Sequence, residues 1–136
     1  MKNSLSRRGI YLVIDPLMDD VQLLKVLKEV MSGRIIAIQI WDHFQQDEWP
    51  LALIQEICAI GHGFHVPVFI NNKWELLKRT NLDGVHFDEI PVDLKRMERE
   101  IGRRFLWGLT CNNDLEVVRR AADNNADYIS FCSMFP

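Results

Sequence analysis

The sequence predicts an α/β fold in which strands and helices alternate around a parallel sheet. Three observations predict it. Six short apolar runs recur along the chain, with starts about 18–32 residues apart. Segments with apolar residues at helical spacing, or with helix-capping residues, separate them. The runs themselves are almost uninterrupted in apolar residues, as expected of parallel strands covered on both faces.

The first run is Ile10–Asp15 (IYLVID), closed by Pro16. Asp19 or Asp20 can cap the next segment, where Leu23, Leu24, Leu27, Val30 and Met31 return at helical spacing. Gly33 is the expected left-handed residue beyond that helix. The second run is Arg34–Asp42 (RIIAIQIWD), followed by a polar stretch from His43 to Glu48. A helix is expected over Pro50–Ile60, with Pro50 in its first turn and Gly61 and Gly63 ending it. The third run, Val66–Asn72, leads into a short helix, Trp74–Arg79. The fourth, Gly84–Phe87, precedes a helix over Val92–Ile101. The fifth, Arg104–Thr110, precedes a helix over Leu115–Asn124 that Asn112, Asn113 or Asp114 can cap. The sixth is Asp127–Phe135.

Composition limits the function classes. The 136 residues are 48% hydrophobic and 26% charged, which excludes a disordered chain and allows one real core. No linker or charge block divides them, so residues 1–136 are read as one domain. A net charge of -3 gives no electrostatic footprint for nucleic acid or an anionic membrane. The run Ile10–Ile14 is too short for a signal or a membrane span. Cys58, Cys111 and Cys132 are scattered and odd in number, which fits reduced thiols in a cytoplasmic protein.

In parallel α/β folds, binding groups collect at the C-terminal ends of strands. Here those ends carry Asp15; Gln39, Trp41, Asp42 and His43; Asn71, Asn72 and Lys73; His86, Asp88 and Glu89; Thr110, Cys111 and Asn112; Ser130 and Ser133. Strand alternation sets Ile36, Ile38 and Ile40 on one face, and Ala37, Gln39, Trp41 and His43 on the other. Gln39 is therefore either a satisfied core amide or a ligand group in a barrel mouth. Asn71 and Asn72 are either turn residues or ligand groups. His86 is a histidine bonded to backbone or a site residue. His62 and His65 read as solvated imidazoles of a helix-to-strand turn, because neither Cys nor Glu accompanies them at zinc-site spacing. No P-loop, GxGxxG, GxSxG or HExxH motif is present.

Five segments, in order, resemble the thiamine phosphate synthase family and its thiazole tautomerase relatives. They are IYLVID (Ile10–Asp15), VPVFINNKWEL (Val66–Leu76), LDGVHF (Leu82–Phe87), WGLTCNNDLEVVRRA (Trp107–Ala121) and ADYISFCSMFP (Ala126–Pro136). The family forms are YLVTD, VPLIINDRVDLAL, ADGVHLGQ, IGxSxHxxxEA and ADYIGxGPIFP. The resemblance implies a (β/α)8 TIM-type barrel, with about six of its eight βα units in this chain. It implies condensation of hydroxymethylpyrimidine diphosphate with thiazole phosphate, giving thiamine phosphate and pyrophosphate with Mg²⁺. Such chemistry asks the protein to position two small-molecule phosphates and to neutralise a leaving pyrophosphate.

Carried over by position, Gln39 matches the pyrimidine-contacting glutamine of the family's QLREK segment. Asn71 matches the first residue of an Asn-Asp pair, Lys73 stands where an arginine is frequent, and Thr110 keeps a hydroxyl near the phosphate region. Trp41 replaces a pyrophosphate-binding arginine, and offers an aromatic surface to a heterocycle instead. His43 replaces a lysine. Asn72 replaces a metal-binding aspartate, and Asp88 or Glu89 is the candidate for the second metal carboxylate. Asn112 replaces the histidine that tautomerase relatives use, which disfavours that activity.

The family pattern continues past the FP that ends this sequence into a phosphate loop and two further strands. Two such units of about 25 residues would bring the chain to roughly 190, near the lower limit of a barrel. The first and sixth strands are then apolar edges, which a second copy of the chain would cover. Two other readings follow from the same residues: a barrel relative that binds a pyrimidine, thiazole or phosphorylated ligand without turnover, and a free-standing doubly wound module for interaction.

Overall fold

A computed structural model describes residues 8–44 and 49–131. Strand β1 is Ile10–Ile14, helix α1 is Asp20–Val30 and strand β2 is Ile35–Ile40. Helix α2 is Leu51–Gly63 and strand β3 is Val68–Asn71, with a single 3-10 turn at Trp74–Lys78. Strand β4 (Gly84–Phe87), helix α3 (Leu94–Ile101), strand β5 (Leu106–Thr110), helix α4 (Leu115–Asp123) and strand β6 (Tyr128–Ser130) complete the order. The predicted second half of the sixth strand, with Cys132 and Ser133, lies outside the described residues, as does the stretch 45–48.

The sheet order is β1-β2-β3-β4-β5-β6, and every pairing is parallel. No strand order reversal occurs, so the doubly wound module is not the arrangement found. The sheet curls instead, because aromatic side chains of its first and last strands meet. Tyr11 on β1 and Tyr128 on β6 have ring centroids 5.2 Å apart. The result is a six-stranded parallel half-barrel with a TIM-like curl. The two further units of a full barrel are not among the described residues.

Parity divides the strands into two chemistries. The outward residues Ile38, Ile40, Val68, Ile70, Val85 and Leu109 join one apolar cluster with Leu23, Leu27, Ile54 and Ile57 of the helices. The inward residues Tyr11, Gln39, Phe69, His86 and Tyr128 form a separate aromatic and hydrogen-bonded set. Helix α3 buries only one stripe, Leu94, Met97 and Ile101, and leaves Val92 before it fully exposed.

Caps and breaks follow local chemistry, with corrections to four expectations. Asp19, Asp93 and Asp114 cap α1, α3 and α4, each accepting a backbone N–H of the first turn. Helix α1 closes on Met31, whose N–H reaches Leu27 O, and Gly33 is not left-handed. Helix α2 ends at Gly63 as expected, but Gly61 lies inside it, and His65 beyond takes the left-handed conformation at φ 60°. Gly61 is there for proximity: a Cβ would stand 2.8 Å from Val68 Cγ2. The third correction is His62, which is partly buried and paired rather than freely solvated. Its Nε2 lies 2.7 Å from Asp83 Oδ2, the same oxygen that accepts the Val68 N–H. The expected helix over Trp74–Arg79 is a 3-10 turn of five residues, too short to nucleate an α-helix.

Small inward residues make room for large neighbours. A Cβ on Gly84 would stand 2.4 Å from Leu106 O and 2.6 Å from the Phe69 ring. Gly84→Ala therefore costs about 1–3 kcal/mol, read as a lower urea midpoint at unchanged slope. Gly63→Ala, at a helical position with nothing within 4 Å of the added carbon, leaves the midpoint unchanged or raises stability by up to about 1 kcal/mol.

Candidate functional site

The C-terminal ends of the strands open into a cavity of about 580 Å³. Tyr11, Gln39, Trp41, Asn71, His86, Asp88, Thr110, Tyr128 and Ser130 line it. A second hollow of about 650 Å³ lies at the opposite end, between the α3 and α4 connections. Its lining mixes Lys95, Arg103 and Arg104 with Asp83, Glu98, Asp123 and Asp127. The upper cavity is the functional candidate, because it holds the inward polar residues and stands where α/β folds bind ligands.

A continuous hydrogen-bond relay crosses its floor. Tyr11 O–H donates to Gln39 Oε1 at 2.8 Å. Tyr11 and Tyr128 share a short hydroxyl contact. Tyr128 Oη lies 2.7 Å from His86 Nδ1, and His86 Nε2 lies 2.8 Å from Thr110 Oγ1. Thr110 Oγ1 is 3.3 Å from Ser130 Oγ. Burial raises the pKa of both tyrosines, so both hydroxyls stay protonated. Burial also lowers the His86 pKa, and the nearby Asp88 carboxylate works against that shift. Beneath the relay, Phe69 packs edge-on to Tyr128 at 5.6 Å and seals the floor.

Two asparagines build the rim. Asn71 is 3% exposed and donates from Nδ2 to His86 O and Asp88 Oδ1. Asn72 is left-handed at φ 58°, a conformation asparagine tolerates. That turn lets its amide tie three loops. Nδ2 lies 3.2 Å from Asp42 Oδ2 and 2.8 Å from Asp88 Oδ2, and Oδ1 accepts the Asp88 N–H at 3.0 Å.

The predicted site residues divide into two groups. Gln39, Trp41, Asn71, Asp88 and Thr110 meet around the cavity, with Asn72 beside them. His43, Lys73 and Glu89 do not line it. The His43 ring stacks at a tilt on Trp41, and Nδ1 sits 3.6 Å from Asp15 Oδ1. Lys73 precedes the 3-10 turn, and Glu89 is exposed. Sequence reasoning named His86 and Ser130 without assigning them a role, and it missed Tyr11 and Tyr128. The available signal was parity: Tyr11 lies two residues before Val13, and Tyr128 two before Ser130.

The Mg²⁺ set Asn72, Asp88 and Glu89 does not fit its ion as arranged. The Asn72 amide oxygen accepts the Asp88 N–H, its N–H₂ end faces the carboxylates of Asp42 and Asp88, and Glu89 is not part of the cluster. A hydrogen-bond donor thus occupies the place between the carboxylates that a cation would need. Among the described residues no group of three His, Cys, Asp or Glu side chains is arranged to hold a metal.

The thiamine monophosphate synthase family model matches residues 10–136. The chain belongs to the thiamine monophosphate synthase family. Within this family it is 29% identical over 131 residues to a thiamine-phosphate synthase of Alcanivorax borkumensis, covering 93% of this chain and 59% of that protein. It is 27% identical over 129 residues to one from Aromatoleum aromaticum, covering 95% and 62%. The chain thus spans about three-fifths of the length of these curated relatives. The solved thiamine phosphate pyrophosphorylase of Pyrococcus furiosus superposes with a TM-score of 0.73 at 17% identity, over 93% of this chain and 61% of that one. That likeness supports the family's barrel curl. No described helix is long and apolar enough to cross a membrane.

Two predictions follow from these family residues. Asn72→Asp places a third carboxylate against Asp42 and Asp88, so its melting temperature falls in EDTA and recovers with millimolar Mg²⁺. The wild-type melting temperature changes little between the two buffers; an equal Mg²⁺ response would count against the amide bridge. Burial pushes the Cys58 thiol up to about 12 and raises that of Cys111. Thiolate is therefore scarce at pH 8, and both thiols react with a disulfide reagent only on unfolding.

Proposed function

We propose that the chain works in a thiamine phosphate synthase-type condensation, holding hydroxymethylpyrimidine diphosphate in the upper cavity. One observation carries this reading. Gln39, Asn71 and Thr110 lie at the C-terminal mouth of the half-barrel, where all three line one cavity. The Gln39 amide nitrogen has no partner among the described residues, and its oxygen is held by Tyr11. It is free to donate to a ring nitrogen of the pyrimidine. Asn71 Oδ1 is likewise open as an acceptor for the exocyclic amino group. Trp41, 45% exposed at the mouth, offers a face to the heterocycle.

In the reaction, the C–O bond to the diphosphate breaks and the oxygen keeps the electron pair. A C–N bond then forms from the thiazole nitrogen to the same carbon, giving a thiazolium. The protein's part is to hold the carbon between leaving group and nucleophile and to exclude water. Thr110 and Ser130 supply hydroxyls on the β5–β6 side of the cavity, and Lys73 supplies a cation near its rim for the phosphates.

A second reading is ligand binding without turnover. It is favoured by Trp41 and Asn72, which stand where the family pattern carries a cation and a carboxylate. The two are separated by one assay. Mixing both substrates and Mg²⁺ with the purified protein yields thiamine phosphate and pyrophosphate if the first reading holds. Gln39→Ala then lowers kcat/KM by about ten- to a hundredfold. No product, with calorimetric binding of the pyrimidine retained, assigns the second reading.

A further inference from the structure

The floor relay has a direction. We propose that Tyr11, Tyr128 and His86 are positioning residues that lock the Gln39 amide with its Nε2 toward the cavity, so that the site selects a ring edge presenting a hydrogen-bond acceptor.

The direction follows from counting protons. Each tyrosine has one O–H. Tyr11 gives its proton to Gln39 Oε1, so toward Tyr128 it acts only as an acceptor. Tyr128 must therefore spend its own proton on Tyr11. Its oxygen then accepts from His86, which requires the proton on Nδ1. A neutral imidazole protonated at Nδ1 has a bare Nε2, which accepts from the Thr110 hydroxyl. Thr110 is left to accept from Ser130. Every hydroxyl points the same way, from Ser130 on β6 to Gln39 on β2.

The end of the chain is what the ligand meets. An isolated glutamine amide can turn over and offer either end to a ligand. Here Oε1 is held by Tyr11. Turning Gln39 over would set its N–H₂ against the Tyr11 O–H unless every proton in the relay reversed, with His86 then carrying its proton on Nε2. The His86 tautomer therefore reports which end faces the cavity. No buried side-chain polar atom lacks a partner among the described residues, so the Nε2 left without one faces accessible space. The two Tyr rings also pack against each other and on Phe69, which holds the hydroxyls in register. The relay thereby joins two ends of one cavity: hydroxyls suited to phosphate on the β5–β6 side, and a fixed donor suited to a heterocycle at β2.

The selectivity half of this rests on the pyrimidine reading above; the direction of the relay does not, and the experiment separates them. Histidine labelled with ¹⁵N in the full chain, free of ligand at pH 8, reports the tautomer of His86, assigned by its loss in His86→Gln. The expected result is a protonated Nδ1 and a bare Nε2. In Tyr11→Phe, Tyr128 loses its acceptor and turns its proton to Nδ1, so the tautomer shifts to Nε2–H. A protein that merely lost packing would not exchange the two nitrogens. A wild-type Nε2–H tautomer overturns the relay, and so does an unchanged tautomer in folded Tyr11→Phe. If that variant does not fold, the wild-type tautomer decides alone.

The selectivity is read by calorimetry with 4-amino-5-hydroxymethyl-2-methylpyrimidine and its 4-oxo counterpart, whose ring nitrogen carries a proton. Wild type prefers the amino compound by about tenfold or more, and Gln39→Glu, which offers an acceptor instead, reverses the order. Equal binding of the two by wild type overturns the selectivity. Binding of neither overturns the pyrimidine reading and leaves the tautomer result standing.

Discussion

The contact between Tyr11 and Tyr128 is the constraint on which the rest of this molecule depends. The two residues stand 117 positions apart, on the first and last strands of the sheet. A parallel sheet of six strands in sequential order has two free edges, and nothing in its backbone hydrogen bonding brings them together. Their inward side chains do. The rings pack at 5.2 Å and the hydroxyls bond, so the sheet holds its curl. Aromatic pairs of this kind contribute about 0.5–1.5 kcal/mol beyond the area they bury. The larger consequence is geometric, since the curl is what makes the strand ends converge on one cavity.

Room for those rings comes from residues with no side chain. Gly108 on β5 is paired with Tyr128 on β6, and a Cβ there would stand 2.0 Å from the Tyr128 ring. Gly84 on β4 does the same for Phe69 on β3. Large and small residues thus alternate around the inner wall, as a barrel interior needs if it is to be filled without voids. The filled lower layer leaves the layer above it open. That upper layer holds Gln39, Asn71, His86 and Thr110, which are buried enough for their hydrogen bonds to be strong and close enough to be shared.

How far the sequence reveals this differs by the range of the interaction. Strand positions and the Asp caps of α1 and α4 follow from local signals, and they agree with the structure to within a few residues, whereas the cap of α3 is Asp93, one residue inside the helix expected from Val92. The inward placement of Gln39 is also a local fact, because parity within RIIAIQIWD decides it. The role of Gln39 is not local. Its partner Tyr11 lies 28 residues away, and the relay that orients both depends on Tyr128 at the far end of the chain. Gly33 and Gly61 depart from expectation for a related reason. Glycine marks either a left-handed turn or a close approach, and only the structure shows that Gly61 serves the approach of α2 to β3. The pairing of His62 is invisible locally because Asp83, its partner, lies 21 residues downstream.

The departures from the family pattern are easier to understand together than singly. The pattern places cations at two positions after the second strand and an aspartate after the third. This chain has Trp41 and His43 in the first pair and Asn72 in the other. Two cation positions and one aspartate position are thus filled by uncharged or weakly basic side chains, so both signs of charge are reduced around the rim. The Asn72 amide then does by hydrogen bonding what a charge would otherwise do, holding the Asp42 and Asp88 loops against the third strand. His43 Nδ1 lies 3.6 Å from Asp15 Oδ1, at the rim rather than in the cavity. The cavity that results is lined by neutral donors and acceptors with Asp88 at its edge. Such a lining offers a fixed pattern of hydrogen bonds rather than a concentration of charge.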